Sequence, residues 1–252
     1  MKKKILLTND DGIASEGLAS LRDALKDRFD VITVAPDQEQ SGSGHSFTST
    51  RPLRVTRRDD CTYSVDGSPT DCVMLAMYQL LDKKPDLLIS GINRGQNMGD
   101  DVTYSGTVCA AFEGKIFGVP SIATSLSIRD GDARFYFEDA ASSMRLIAEH
   151  LFIDGLSKHT LLNINFPNCP QREIQGTAIT RLGDRKFHNV VVKREDPRGQ
   201  AYYWIGGTPE CQFLPGTDLE AVHHKKISIT PLHLDMTDYD RIPELEKWNL
   251  RL

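Results

Sequence analysis

Thr8-Asn9-Asp10-Asp11-Gly12 follows directly on the apolar run Ile5-Leu6-Leu7. A run this short and apolar is typical of a central strand in a parallel sheet, and ligands of open α/β sheets bind beyond the carboxyl ends of such strands. Two carboxylates about 4 Å apart repel by roughly 4 kcal/mol at an effective dielectric constant of about 20. A divalent cation between them turns this repulsion into attraction, and oxygen ligands suit Mg²⁺, Mn²⁺ or Ca²⁺ rather than zinc. A solvated turn is the alternative interpretation of this stretch taken alone.

The chain after the acidic pair predicts a β-α-β unit. Leu18, Leu21, Leu25 and Phe29 recur at helical spacing, and residues 31–36 form the next apolar run. The crossover between two such parallel strands is right-handed. No G-x-G-x-x-G opens the helix and no G-K-[S/T] occurs in the sequence, so neither a dinucleotide fingerprint nor a P-loop is indicated.

Further along the chain, apolar runs alternate with helical patterns. Ser68, Pro69 and Asp71 predict a helix start, because they suit the cap, the first helical position and the third position after the cap. The remaining predicted elements are strands at residues 86–90, 119–124 and 161–167 and helices at residues 108–117 and 136–153. This alternation indicates an α/β protein with a mostly parallel sheet.

The chain changes character from about residue 176. β-rich segments separated by charged turns predict an antiparallel region with long hairpins, and they lie at residues 178–181, 190–193 and 201–205. Tyr202, Tyr203 and Trp204 are large groups for a peripheral segment, so we expect an arm that pairs with another subunit. A last strand at residues 226–232 and a short helix from Asp238 follow.

Composition excludes several classes of protein. The chain has 252 residues, enough for one large domain or two small ones, and its formal net charge of -5 does not favour nucleic-acid binding. No apolar run is long enough to span a bilayer, and the run after Met1-Lys2-Lys3-Lys4 is too short for a signal peptide. The cysteines are odd in number and widely spaced without CxxC, which suggests neither a disulfide framework nor a zinc site and favours a reducing cytoplasm. They are Cys61, Cys72, Cys109, Cys169 and Cys211.

A second polar loop, residues 37–46, follows the predicted strand at residues 31–36. Its glycines allow the backbone to approach a ligand closely. Ser41 can offer a hydroxyl group to a metal, and His45 can serve in acid–base chemistry or contact a phosphate. A flexible connector with a surface histidine is the alternative.

A third polar loop, residues 91–101, follows the strand at residues 86–90. Asn93 and Asn97 offer amide oxygens to a metal or amide donors to a phosphate. Ser105-Gly106-Thr107 then opens a helix, and free N–H groups at a helix N-terminus suit phosphate. The three loops together, at one edge of a parallel sheet, describe a metal and phosphate site.

The motifs of these loops resemble the SurE family of stationary-phase survival proteins. The resemblance covers nearly the whole chain in one ordered set of motifs, with no departure at the motif positions. The motifs are Thr8–Gly12, Ala35–Asp37 with Ser41–Ser46, Gly67–Cys72, Ser90–Gly99, Tyr104–Thr107 and Ile229–His233.

The resemblance implies a metal-dependent acid phosphatase that releases phosphate from nucleoside 5′- and 3′-monophosphates, with some exopolyphosphatase activity. By motif position, one divalent cation per subunit would be held by Asp10, Asp11, Ser41 and Asn93. It also implies a Rossmann-like core, about residues 1–175 plus the strand near 226–232, within a single domain of residues 1–252. The region of about 176–252 would carry a hairpin arm and tail that exchange between subunits of a dimer or tetramer.

These residues allow a concrete mechanism. The metal acts as a Lewis acid on a phosphate oxygen, while Asn97, Ser105, Gly106 and Thr107 hold the other oxygens. The attacking group is a metal-bound water or, alternatively, a carboxylate of Asp10 or Asp11. Water is favoured because both carboxylates are engaged with the metal. His45 is the candidate proton donor to the leaving oxygen, and a non-catalytic nucleotide-binding sensor is the alternative function.

Overall fold

The fold is organised around the apolar run of residues 5–7, which forms the middle of a large sheet. It is described here from a computed structural model, over residues 2–129, 131–155, 157–188, 191–206 and 208–248, without the side chains of residues 186–188 and 208–211. The strands are β1 (Lys4–Thr8), β2 (Asp30–Pro36), β3 (Val55–Arg57), β4 (Thr62–Val65), β5 (Leu87–Arg94), β6 (Ser121–Ser127), β7 (Leu161–Pro167), β8 (Thr177–Ile179), β9 (Arg185–His188), β10 (Val191–Glu195), β11 (Ala201–Ile205), β12 (Thr208–Cys211) and β13 (Ile227–Pro231).

The main sheet has nine strands among the described residues, in the order β3-β4-β2-β1-β5-β6-β7-β13-β8. The six strands from β4 to β7 in this order are mutually parallel. β3 pairs antiparallel with β4, and β13 pairs antiparallel with β7. The predicted α/β class with a mostly parallel sheet is therefore confirmed.

Helices cover both faces of this sheet. They are α1 (Glu16–Leu25), α2 (Pro69–Leu75), α3 (Gly106–Ile116), α4 (Phe137–Asp154), α5 (Asp218–His223) and α6 (Ile242–Glu246). Ile5 and Leu7 of β1 lie in the core cluster formed with α1 and α4, whereas Leu6 lies in the cluster formed with α2 and α3. Successive side chains of a strand point to opposite faces, so this apolar run is buried on both sides.

The helix predicted from Ser68 begins as expected, because Ser68 and Asp71 form a capping box and Pro69 lies in the first turn. It continues beyond α2 as a π-helical turn, Ala76–Leu80. β5 differs from its prediction, because it extends past Ser90 to Arg94. The peptide between Gly91 and Ile92 is cis, and the register with β6 shifts between Ser90 and Asn93.

The C-terminal third contributes to the core and also forms two antiparallel strand pairs outside the main sheet. β8 was expected in the antiparallel region, but it pairs parallel with β13 at the edge of the main sheet. β10 pairs antiparallel with β11, and β9 with β12, as the hairpin prediction requires. Residues 189 and 190 lie outside the described residues. Residue 190 is the first residue of the β segment predicted at residues 190–193.

Other expectations about the chain concern cysteines and membranes. Cys61 is an exposed free thiol, whereas Cys72, Cys109 and Cys169 are buried free thiols. The side chain of Cys211 lies outside the described part of the structure. Within the described ranges, no helix is both long and apolar enough to cross a membrane.

Candidate active site

The acidic pair follows β1 at the point where the order of the sheet reverses. β1 pairs with β2 on one side and with β5 on the other, and the chain builds outward in both directions from these strands. Ligands of open α/β sheets bind in the crevice at such a switch point, beyond the carboxyl ends of the strands. Asp10 and Asp11 directly follow β1, and Asn93 is the penultimate residue of β5, so all three lie at this edge of the sheet.

Asp10 is buried, with 3% of its surface exposed. Its Oδ1 accepts a hydrogen bond from Thr107 Oγ1, and its Oδ2 accepts one from the backbone N–H of Thr107 at 3.0 Å. Burial raises the pKa of Asp10 above its ordinary value, and the two bonds from Thr107 oppose this shift. A buried carboxylate held at the N-terminus of α3 is also favoured by the helix dipole.

Gly106 allows this close approach between α3 and the acidic pair. A Cβ atom at Gly106 would lie 2.7 Å from Ser43 Oγ and 3.0 Å from Asp10 Oδ2, so no larger residue fits without displacing one of them. Ser43 Oγ is buried and has no hydrogen-bond partner among the described residues. The loop after β2, the end of β1 and the start of α3 thus meet at one point.

Asp11 is more accessible than Asp10 and lies against the end of β5. Its Oδ2 accepts the backbone N–H of Arg94 at 2.9 Å. Burial raises the pKa of Asp11 to about 6; the bond from Arg94 opposes this, while the charges of Asp10 and Glu39 add to it. A cation beside these carboxylates would relieve both the desolvation and the repulsion.

A cleft of about 300 Å³ opens beside Asp11 and is lined in part by Glu39, Ser41 and Arg94. Ser41 Oγ donates to Glu39 Oε1 at 2.8 Å, which leaves its oxygen lone pairs for a further partner. The guanidinium of Arg94 lies 4.5 Å from the ring centroid of Phe135. A larger cavity of about 1040 Å³ lies at the opposite edge of the sheet and is lined by lysines such as Lys3 and by the aspartates that pair with them.

Asn93 and Asn97 occupy different environments. Asn93 Nδ2 donates to Gly95 O at 2.9 Å, which leaves its amide oxygen as the end that can bind a cation. Asn97 is buried within a polar network and donates through Nδ2 to Ser125 Oγ at 2.8 Å. Its backbone N–H donates to Asn165 Oδ1 at 2.9 Å, and its carbonyl accepts from Asn163 Nδ2 at 2.7 Å. The side chain of Asn97 therefore fixes the loop.

The start of α3 lies two residues earlier than the sequence predicted, because Ser105 is its N-cap. Ser105 Oγ accepts the backbone N–H of Val108 at 3.1 Å. Gly106 and Thr107 are consequently part of the first helical turn. His45 is exposed, and its Nε2 lies 3.0 Å from Glu113 Oε2 on the same helix, so the His45 ring contacts α3.

The donor set fits a hard divalent cation. Asp10, Asp11, Ser41 and Asn93 offer carboxylate, hydroxyl and amide oxygens, which Mg²⁺, Mn²⁺ and Ca²⁺ prefer. Asn9 Oδ1, beside the pair, is buried with no hydrogen-bond partner in the described structure. In the part of the chain that the structure describes, no group of three or more His, Cys, Asp or Glu residues is arranged to hold a metal. A cation at this site would therefore depend on two carboxylates and neutral oxygens.

Several residues of this region were missed by the sequence analysis. The charge of Glu39 raises the pKa of both aspartates. Ser43 packs so closely against Gly106 that a Cβ atom there would lie 2.7 Å from its Oγ. Asn9 holds the turn, because its Nδ2 donates to Gly12 O at 2.9 Å and to Ser15 Oγ at 2.7 Å. The Asn-Asp-Asp-Gly turn chemistry noted in the sequence was the available signal for Asn9. Arg94 contributes a backbone N–H, which any residue except proline would supply.

Fold and site together define a doubly wound α/β protein with an acidic, oxygen-rich centre at its switch point. Residues 5–189 match the family model described as Survival protein SurE. The chain belongs to the SurE family.

Full-length relatives agree with this assignment. The chain is 46% identical over 245 residues to a protein of Pelobacter propionicus named 5′-nucleotidase SurE, covering 97% of this chain and 98% of that relative. It is 47% identical over 249 residues to a protein of the same name from Geotalea uraniireducens, covering 98% and 99%. The crystal structure of the SurE protein from Aquifex aeolicus superposes with a TM-score of 0.87 at 44% identity, covering 97% of this chain and 99% of that one.

Proposed function

We propose that the chain is a divalent-metal-dependent phosphomonoesterase that hydrolyses nucleoside 5′- and 3′-monophosphates to nucleoside and phosphate, with exopolyphosphatase as a further activity. The observation that carries this is the buried carboxylate of Asp10, bonded through both oxygens to Thr107 at the start of α3. It places an acidic centre and a helix N-terminus side by side, as metal-assisted phosphate chemistry requires. The name 5′-nucleotidase SurE of the full-length relatives supports this class of enzyme.

We assign one divalent cation per subunit, Mg²⁺, Mn²⁺ or Ca²⁺, to Asp10, Asp11, Ser41 and Asn93. When bound, the cation supplies Lewis-acid polarisation of a phosphoryl oxygen and charge stabilisation in the transition state. Asp10 is held in one orientation by Thr107, and Asp11 by the backbone of Arg94. These bonds position both carboxylates before any ligand arrives.

We assign phosphate binding to the turn Ser105-Gly106-Thr107 together with Asn97, whose Nδ2 has a second hydrogen besides the one that it donates to Ser125 Oγ. The backbone N–H groups of Thr107 and Val108 already donate to Asp10 and to Ser105 Oγ, so we assign the phosphate to the N–H of Gly106 and to the helix dipole, which favours an anion there. Gly106 brings this backbone close to Asp10. Thr107 already donates both its polar hydrogens to Asp10, so it serves the reaction first by orienting Asp10.

Water is the attacking group that the geometry favours. Both oxygens of Asp10 accept hydrogen bonds from Thr107, and Asp11 Oδ2 accepts one from Arg94. A carboxylate fixed in this way is a poor candidate for a nucleophile that must swing onto phosphorus. His45 remains the proposed proton donor to the leaving oxygen, with Glu113 at 3.0 Å to hold its ring.

We propose a homodimer or homotetramer that exchanges its C-terminal segments. The β10–β11 hairpin is exposed along both strands, and Trp204 and Ile205 are 64% and 83% exposed. An exposed apolar strand pair of this kind favours pairing with a second copy. The cytoplasm is the compartment we expect from the cysteine pattern, with neither a nucleic-acid polymer nor a membrane as partner.

A turnover assay tests the proposed function. Purified protein should release phosphate from nucleoside monophosphates and p-nitrophenyl phosphate in Mg²⁺ or Mn²⁺, and the reaction should stop in EDTA. A non-catalytic nucleotide sensor would bind the same nucleotides in the presence of metal without releasing phosphate. Undiminished turnover after thorough chelation would contradict the metal-dependent mechanism.

A further inference from the structure

One segment of the chain joins the two halves of the site. Residues 95–105 connect the end of β5 to the start of α3. Immediately before this segment, the backbone N–H of Arg94 donates to Asp11, and shortly after it Thr107 donates to Asp10. A displacement of this segment would therefore move the groups that hold both carboxylates.

The middle of this segment is bound by Asp218, a residue that the sequence analysis did not single out. Asp218 is fully buried as the first residue of α5. Its Oδ2 accepts the backbone N–H of Gly99 at 2.9 Å, and its Oδ1 accepts those of Gly183 and Leu219 at 2.8 Å each. Both oxygens of this buried carboxylate are therefore occupied by backbone N–H donors, which indicates a structural role for Asp218.

Apolar packing reinforces the same contact. Met98, the neighbour of Gly99, forms a buried cluster with Leu219 and Val222 of α5. Gly99 has φ of +56°, and a Cβ there would lie 2.8 Å from Gly183 O. The segment, the start of α5 and the turn at Gly183 are thus in close contact.

These contacts also fix both ends of the stretch from β9 to β12, which we call the arm. Gly183 precedes β9, where the chain leaves the core, and Asp218 follows the return of the chain after β12. Arg185, the first residue of β9, forms a largely buried ion pair with Asp101. The base of the arm and the segment of residues 95–105 are therefore connected at two points.

We propose that Asp218 is a positioning residue of the active site. Its carboxylate fixes residues 95–105 through Gly99 and thereby keeps Asp10, Asp11 and the start of α3 in register, while it joins that segment to the base of the arm. This proposal rests on the proposed phosphatase function for its kinetic consequence only. Asp218 itself is not assigned to contact with substrate or metal.

Asp218→Asn tests the proposal with one change of functional group. The amide oxygen can still accept from Gly183 and Leu219, but an amide nitrogen placed at Oδ2 meets the N–H of Gly99, donor against donor. Because a misplacement of about 1 Å in an active site can cost about 100-fold in rate, kcat/KM should fall at least about tenfold, mostly in kcat. Hydrogen exchange should rise in the peptide covering residues 95–105 and stay unchanged in β1 and β7.

Two further variants complete the test. Glu220→Gln makes the same acid-to-amide change on α5, where the side chain of Glu220 accepts only from the backbone N–H of Gly216 at 3.1 Å in the described structure, and it should retain wild-type turnover and exchange. Gly99→Ala weakens the contact from the other side and should reproduce the Asp218→Asn result, which decides the matter if Asp218→Asn does not fold. Wild-type kcat and exchange in both Asp218→Asn and Gly99→Ala would overturn the proposal. An inactive wild-type protein whose Asp218→Asn variant still exchanges faster at residues 95–105 would contradict the phosphatase function and leave the anchoring role standing.

Discussion

Thr107 holds Asp10 through both carboxylate oxygens, with its hydroxyl group on Oδ1 and its backbone N–H on Oδ2 at 3.0 Å. The two residues are 97 positions apart in the chain, and both are buried. This contact joins the end of the central strand to the start of α3. It orients a carboxylate that burial alone would make unfavourable to ionise.

Thr107→Val should therefore lower activity, although valine and threonine have nearly the same size. Valine keeps the shape but removes the hydroxyl donor, and loss of a hydrogen bond to a charged group costs about 2 kcal/mol. We expect kcat to fall at least about tenfold and the affinity for Mn²⁺ to fall with it. Thr107→Ser keeps both donors and serves as the control. Equal kcat in the valine and serine variants would contradict the positioning of Asp10 by the hydroxyl.

Gly106→Ala should remove activity with little loss of stability. The new methyl group would lie 2.7 Å from Ser43 Oγ and 3.0 Å from Asp10 Oδ2, so it displaces groups of the site, while alanine itself suits a helix better than glycine. Gly206→Ala is the matched control, since open space surrounds a Cβ at that exposed position. The readouts are phosphate release and the melting temperature. Full activity in Gly106→Ala would show that the start of α3 can move away freely.

The raised pKa of Asp11 predicts a pH dependence of stability in the metal-free protein. Between pH 3.8 and about pH 6, the ordinary and the raised pKa of Asp11, the folded chain binds more protons at Asp11 than the unfolded chain does. The contribution of Asp11 to the free energy of unfolding is therefore highest at low pH, falls as pH rises through this window, and is constant above it. Relative to Asp11→Asn, the wild-type protein should lose on the order of 2 kcal/mol from pH 4 to pH 7.

Urea unfolding in EDTA at several pH values measures this difference for the two proteins side by side. Titrating groups that do not interact with Asp11 are common to both proteins and cancel in the comparison. A difference that is constant, or that grows in favour of wild type as pH rises, would contradict the raised pKa.

Asp10→Asn and Asp11→Asn should each nearly abolish phosphate release while the fold survives. Each variant loses one negative charge of the proposed cation site, so the rise in melting temperature on adding Mn²⁺ should be smaller than in wild type. Without metal the melting temperature should be unchanged or higher, because the repulsion between the carboxylates is relieved. Calorimetric titration with Mn²⁺ beside the turnover assay decides the matter. Normal metal affinity and turnover in both variants would mean that Asp10 and Asp11 form only a solvated turn and hold no cation.

The exposed hairpin predicts an oligomer in solution. Light scattering at micromolar concentration should give a mass above the 28.2 kDa of one chain. A double variant with Trp204→Lys and Ile205→Lys places charge on the exposed apolar surface and should shift the protein toward monomer. A wild-type mass of 28.2 kDa would contradict the proposed exchange of C-terminal segments.

Local sequence patterns predicted much of the core correctly. The run at residues 5–7 is buried on both faces, and the capping box at Ser68 starts α2 as expected. These predictions succeeded because strand burial, helix period and caps depend on residues close together in the chain. The extension of β5 to Arg94 and the place of β8 in the main sheet were not predicted, because pairing with distant strands decides both.

The sequence by itself determined that polar, oxygen-bearing residues follow the ends of three strands, and that the chain is an α/β protein related to the SurE family. Only the tertiary structure decided which of these groups touch. It places both polar hydrogens of Thr107 on Asp10 and commits Asn97 to the loop network. It also brings Asp218 to Gly99, which lies 119 positions away in the chain. The physical reason is that a hydrogen bond depends on the final distance and direction of two atoms, and for residues so far apart the packing of the whole fold sets that geometry.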